Sequence, residues 1–383
     1  MKKNNLFMTF VAVATLSLFS CKKETNLSQG QDLSSQKANV EKENTSVGYV
    51  YTLSNQVGGN NVIAYSRSAA GTLTYSKTYS TGGNGTGSGL GSQGSLTLSR
   101  DKDILLAVNA GSNSLSSFTM SGGELHLQST IASGGTLPIS VTVYDNLVYV
   151  LNAGGTGNIS GFSLDDQGRL NPLANSTRPL STSASGPAEI SFAQNGAVLV
   201  ITEKATNRII TYTINSDGTP AMMHSLPSAN ATPFGFAVGE NGSLYVSEAA
   251  GGAAGASSVS FYHVDTDGVI SLVNGPVSAG QTAACWVALT NNGKYVYATN
   301  AGSNTVSSFF ASSSTLNVSG AAAAITDIKG PIDAALSNNS KFLYVLNSGG
   351  RSITAFQVNN DGSLTHTQNV TGMLSGDVGL AAK

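Results

Sequence analysis

The side chains able to do chemistry are few and scattered. The 383-residue chain has four histidines, His126, His224, His263 and His366, and two cysteines, Cys21 and Cys285. A catalytic imidazole needs a partner within hydrogen-bond reach, and a zinc site needs ligands at short, recurring spacing. No pair of these histidines has such spacing, and each falls in a short alternating run (Leu125-His126-Leu127, Tyr262-His263) of the kind that forms an outer strand. Cys285 lies in the apolar run Ala283-Ala284-Cys285-Trp286-Val287, where a buried, inert thiol is expected. The clusters Asp165-Asp166-Gln167-Gly168, Asp217-Gly218, Asp265-Thr266-Asp267-Gly268 and Asn360-Asp361-Gly362 lack the downstream bidentate Glu of a calcium loop. They read as turns with Gly at positive φ. No metal site is expected.

What remains is a set of carboxylates, Glu189, Glu203, Glu248 and Asp333, together with the single tryptophan, Trp286. An indole face beside carboxylates suits a sugar or a cationic ligand. Glu203 is also the candidate for activating a water. Asn109, Asn152, Asn300 and Asn347 recur at one place in a repeat, which implies a shared structural task, whereas Glu189, Trp286 and Asp333 break the repeat. Arg208 and Arg351 fall in hairpin turns, so no arginine or histidine can be placed with the carboxylates. The run over residues 82–94 has GxGxG spacing, but no helix follows it to offer a dipole to a phosphate. It is expected to be a flexible loop.

These residues are positioned by a repeat. Residues 330–367 read as four short strands, at 332–336, 342–347, 353–358 and 364–367, with turn chemistry at Asn338-Asn339, Gly349-Gly350 and Asn360-Asp361-Gly362. The end of the second strand recurs at positions 54, 109, 152, 202, 248, 300 and 347, at spacings of 55, 43, 50, 46, 52 and 47 residues. A four-stranded unit at that period is the signature of a β-propeller blade. The expected fold is all-β: seven four-stranded antiparallel blades. Inner strands open with Pro138, Pro187, Pro233, Cys285 and Pro331, and none precedes Gly48. Residues 375–381 mirror residues 329–335, so the C-terminal strand is expected to pair into blade one and seal the ring.

Outside the repeat, Lys2 and Lys3 precede an apolar run over residues 6–19, too short for a comfortable bilayer span of about 20 residues. The end Leu18-Phe19-Ser20-Cys21 resembles a bacterial lipoprotein signal, in which Cys21 is acylated. Expected boundaries are residues 1–20 for the signal, 21–47 for the acylated Cys21 and a polar tether, and 48–383 for the propeller. The protein is thus expected outside the cytoplasm, held at the bacterial outer membrane through its lipid and acting as a monomer. A net charge of −2 with only 10% charged residues argues against a nucleic-acid partner.

The runs Lys294-Tyr295-Val296-Tyr297-Ala298-Thr299-Asn300-Ala301-Gly302-Ser303 and Phe342-Leu343-Tyr344-Val345-Leu346-Asn347 resemble the lactonase-type seven-bladed propellers, which include phosphogluconolactonase-like and carboxymuconate-cyclising enzymes. The resemblance spans residues 48–383. It implies His and Arg at the mouths of inner strands and a Glu at the end of a second strand. Leu137-Pro138-Ile139-Ser140 carries no His, Pro187-Ala188-Glu189 stands in place of a Pro-Arg-His element, and Ile201-Thr202-Glu203-Lys204 keeps the Glu. The expected function is therefore a binding or scaffold protein presenting its axial face to a protein or small ligand, without a cofactor. The alternative is an enzyme hydrolysing or forming a sugar-acid lactone. Because carboxylates alone would repel an anionic lactone, turnover of 6-phosphogluconolactone is not expected.

Overall fold

The structure, a computed structural model, describes residues 46–101, 103–325 and 329–383. The apolar N-terminal run, Cys21 and nearly all of the tether lie outside the described residues. Seven antiparallel sheets follow one another in chain order. In blade seven the strands are Pro331–Leu336, Phe342–Asn347, Ser352–Val358 and Leu364–Thr371, innermost first. They match the expected set except for a longer outer strand. Blades three and six split the outer strand in two, Leu170–Pro172 with Arg178–Pro179 and Leu316–Val318 with Ala323–Ala324. Among the described residues the only helical pieces are three-residue turns, such as Gln194–Gly196.

Ring closure follows the expectation. Val378–Ala382 pairs antiparallel with Gly48–Leu53, with Val50 opposite Ala382 and Thr52 opposite Leu380, as the innermost strand of blade one. Without it, that sheet would present an unpaired inner edge.

Packing explains why second strands read as unbroken apolar runs rather than alternating ones. Each is covered on both faces by neighbouring blades, as in Val198–Glu203, buried throughout. Seven apolar clusters result, one between each pair of adjacent blades. The outer turns add polar staples. Tyr149 Oη donates to Gly218 O at 2.6 Å, Tyr297 Oη to Gly362 O at 3.0 Å and Thr211 Oγ1 to Gly268 O at 2.6 Å, each reaching the next blade. Gly218, Gly268 and Gly362 have φ of 83°, 80° and 80°, which an L side chain rarely adopts. The Asp/Asn-Gly clusters are therefore blade-to-blade acceptors.

Candidate functional site

The inner edge of each innermost strand faces the axis, and its amides need acceptors. At one level around the ring the structure supplies them in sequence. Ile190 N donates to Ser140 Oγ at 3.2 Å, Phe236 N to Glu189 Oε2 at 2.6 Å and Leu380 N to Asp333 Oδ2 at 3.0 Å. In each case a side chain of one blade caps an amide of the next. Glu189 and Asp333 thus have a structural task on the axis, and Asp333 Oδ1 also accepts from Ala334 N at 2.8 Å.

Gly235 interrupts this relay because it has no side chain to offer Val287. Gln93 takes over, from the loop before blade two. Its Oε1 accepts from Val287 N at 2.9 Å, and its Nε2 donates to Val287 O at 2.9 Å and Phe236 O at 3.2 Å. A Cβ on Gly235 would lie 2.1 Å from Gln93 Oε1, so the absence of that carbon makes the seat. The rest of the glycine-rich segment is tied down around Gln93. Gln93 N donates to Ala188 O at 3.1 Å, Ser92 Oγ to Ile139 O at 2.8 Å and Val141 N to Gly94 O at 2.8 Å. Residues 82–94, expected as a flexible loop between blades, are instead tied down: residues 83–88 bond turns of blades one and two, and residues 91–94 form a plug in the mouth of the channel. Glycine-rich backbone can turn into the axis, where Gln93 N and Gly94 O bond strand edges of blades four and three and the Gln93 side chain bonds those of blades five and six.

Gly235→Ala should evict Gln93 and leave a buried amide and two carbonyls unpaired, at a cost of about 1–3 kcal/mol. A lower melting temperature with faster proteolytic cleavage in residues 82–94 is the expected result. A melt and cleavage pattern like the parent's would show that Gln93 is not what seats the plug.

Beside the plug, Trp286 donates its indole N–H to Ser92 O at 2.9 Å and packs on Phe234, with ring centroids 4.8 Å apart. Trp286 is only 6% exposed. Lys204 completes the group. Its Nζ stands 4.8 Å from the Phe234 ring centroid and donates to Gly91 O at 2.5 Å. Burial pulls this ammonium down to about 8, with Cys285 acting weakly the other way. Cys285 itself is pushed up by burial to about 12, which keeps it a protonated, inert thiol. No carboxylate of the described residues neutralises Lys204. Among the described residues, ion pairs join only Lys77 to Glu124 and Lys383 to Asp103.

Glu203 and Glu248 lie elsewhere. Glu248 is fully buried and accepts from Ser258 Oγ at 2.6 Å, Ser260 Oγ at 2.7 Å, and Ser228 Oγ and Tyr262 Oη at 2.9 Å each. Asn300, at the same place in blade six, bonds Thr305 Oγ1 and Ser307 Oγ at 2.9 Å, so both residues pin the hairpin that follows. Glu203 is equally buried, accepting from Ser181 N at 2.9 Å, from the Ser181 hydroxyl and from Thr206 Oγ1 at 2.7 Å. Neither lines the axial cavity.

That cavity, of about 300 Å³, lies below Gln93 and holds Glu189 and Asp333 in its wall. It shares Thr97, Leu98, Thr142 and Ser191 with a groove of about 1170 Å³ on the face where the inner strands end. Burial pushes Asp333 up to about 8 despite its two backbone amides. Burial also raises Glu189 well above the usual carboxylate range, and Asp333 adds repulsion. Of the five residues singled out in the sequence, then, Glu189 and Asp333 share this cavity, Trp286 flanks the plug, and Glu203 and Glu248 sit inside hairpins.

Sequence reasoning missed Gln93 and Lys204. The register explains the second miss. Glu203 pairs with Pro187 as Asn152 does with Pro138, so the blade-four repeat position is 203 rather than 202. With that correction, Lys204 stands where five other blades carry the small residues Ala110, Ala153, Ala249, Ala301 and Ser348 and blade one carries Asn55. A lone Lys in a series of uncharged, mostly small residues was the available signal.

The family model for lactonases with a seven-bladed β-propeller matches residues 41–179, 156–285 and 268–376. A candidate 6-phosphogluconolactonase from Bacteroides uniformis superposes with a TM-score of 0.68 at 20% identity, covering 86% of this chain and 99% of that one. A second, from Bacteroides fragilis, gives 0.68 at 18% identity over 89% and 99%. A periplasmic gluconolactonase from Pseudomonas aeruginosa gives 0.67 at 15% identity over 88% and 99%. At these identities the structures attest the fold and not the chemistry. No curated protein matches the chain.

Proposed function

The chain belongs to the lactonase family of seven-bladed β-propellers, and on that premise we propose that it binds and opens a small anionic sugar-acid lactone at the plugged mouth of its axial channel. One observation carries this reading: Lys204 is a partly desolvated ammonium with no carboxylate beside it, standing over Phe234 at the mouth. Among the described residues its one hydrogen-bond acceptor is a plug carbonyl, Gly91 O. A carbonyl or carboxylate oxygen of a ligand can replace that acceptor at little cost. Held there, an ammonium stabilises the negative charge that forms when water adds to a lactone carbonyl. The water oxygen bonds to the acyl carbon, the ring C–O bond breaks, the ring oxygen takes up a proton, and the acid proton leaves to solvent. Carboxylate repulsion does not bar such a ligand, because Glu203 and Glu248 are turned into their hairpins. Trp286 and Phe234 supply an apolar wall beside the ammonium.

The experiment is a pH-stat assay with glucono-1,5-lactone and 6-phosphogluconolactone, the substrates that the related structures' names suggest. Opening faster than the buffer rate, favouring the phosphorylated ring, supports the reading. Rates equal to buffer for both would leave the sequence-based alternative, a binding or scaffold propeller.

We also propose export and acylation at Cys21, supported by the short apolar run and the Cys that follows it. A dual or triple acyl anchor holds stably where one chain does not. Cys21→Ser should move the protein from the membrane to the soluble fraction, and unchanged membrane retention would refute the anchor.

A further inference from the structure

Gln93 divides the axial channel, and the chamber below it is chemically unlike the mouth above. The mouth presents an ammonium, while the chamber presents two carboxyl groups, Glu189 from blade four and Asp333 from blade seven. Among the described residues no Lys, Arg or His lines the chamber. Glu189 is 6% exposed; one of its oxygens accepts from Phe236 N, and the other has no donor among the described residues. That oxygen stands open to the cavity, where it can accept a hydrogen bond from an occupant. The volume, about 300 Å³, is that of a small-molecule site rather than a bare-ion site. Among the described residues no three His, Cys, Asp or Glu side chains gather anywhere, so the donor set is thin for a metal.

We propose that this lower chamber is a second site, distinct from the mouth, for a small organic ammonium such as a short alkyl diamine entering from the face where the inner strands end. One ammonium would meet the open oxygen of Glu189 and the other the carboxyl of Asp333, with the methylenes along the alanine-rich strand edges, Ala334 and Ala381 among them. An ammonium carries three donors, and strand-edge carbonyls can take those the carboxyl groups leave. The continuity of chamber and groove through Thr97, Leu98, Thr142 and Ser191 gives the route of entry.

The test is isothermal titration of the whole protein with 1,4-diaminobutane, with butylamine, sodium chloride and magnesium chloride as comparisons. Saturable diamine binding, tighter than butylamine and weakened at least tenfold in both Glu189→Gln and Asp333→Asn, is the expected result. Glu189→Gln keeps the oxygen that Phe236 N needs, Asp333→Asn keeps one of the two acceptors used by Leu380 N and Ala334 N, and an unchanged melting temperature confirms that each variant folds. No diamine binding by the parent, binding that survives both substitutions, or an equal response to magnesium would each overturn the proposal. Lys204→Met should leave diamine affinity unchanged, which separates this site from lactone opening at the mouth.

Discussion

A chain ending at Leu374 is expected to lose its cooperative melt and aggregate. The missing residues include Val378–Ala382, which pair with Gly48–Leu53 and are buried along their whole length. Burial of Val378 and Leu380 alone is worth about 3–6 kcal/mol, a large share of the roughly 5–15 kcal/mol that holds a domain together. The loss reaches further than blade one. Asp333 would lose the Leu380 amide, Asn55 Nδ2 its 3.2 Å bond to Gly376 O, and Gln56 Nε2 its 2.9 Å bond to Ser375 O. An open inner edge would then be free to pair with other chains. Calorimetry and light scattering on the truncated protein read both effects. A truncated protein that melts like the parent would show that closure by the C-terminal strand is dispensable.

Lys204→Met is expected to lower kcat/KM for lactone opening by about 100-fold, the scale of removing one oxyanion donor. The fold should survive, since Met keeps an apolar contact with Phe234 and only the ammonium's contact with that ring and its bond to Gly91 O are lost. The parent protein should carry the same group in its pH profile. The ammonium titrates near 8 rather than at its ordinary value because burial disfavours its charged form. The charged, active form therefore dominates below about pH 8, and kcat/KM should fall about tenfold per unit above it. In Lys204→Met that descending limb should be absent. A parent profile that stays flat through pH 9, or a variant that keeps the limb, would assign the catalysis to another group.

The fold was legible because a propeller writes its architecture into local signals. Blade seven shows four apolar runs with turn residues between them, and copies at a near-constant period can only stack. Even the closure was visible, since residues 375–381 copy an inner-strand opening that blade one lacks. The site was less legible because its parts owe their roles to contacts between blades. Glu189 and Asp333 were noticed as breaks in a repeat, and both cap amides of the next blade. Gln93 reaches across the channel to residues 143 and 194 positions away, a relation no local pattern encodes. Its only trace in the sequence is a missing side chain, Gly235. Glu248 drew attention as a carboxylate among asparagines, yet four hydroxyls consume it in the asparagine's own task. Lys204 was hidden by a one-residue error in register, which places it outside the series of small residues that makes it stand out.

The central claim is that an anionic sugar acid is held at the mouth by Lys204, and Trp286 is a built-in reporter for it. Trp286 is the only tryptophan, and its indole bonds the plug at Ser92 O. Titrating the protein with 6-phosphogluconate while following tryptophan emission measures binding apart from turnover. A saturable change below about 1 mM, the upper range of ordinary substrate affinities, is predicted at pH 7. It should weaken above pH 8 and vanish in Lys204→Met. No saturable change in the parent, or the same affinity in Lys204→Met, would contradict the account.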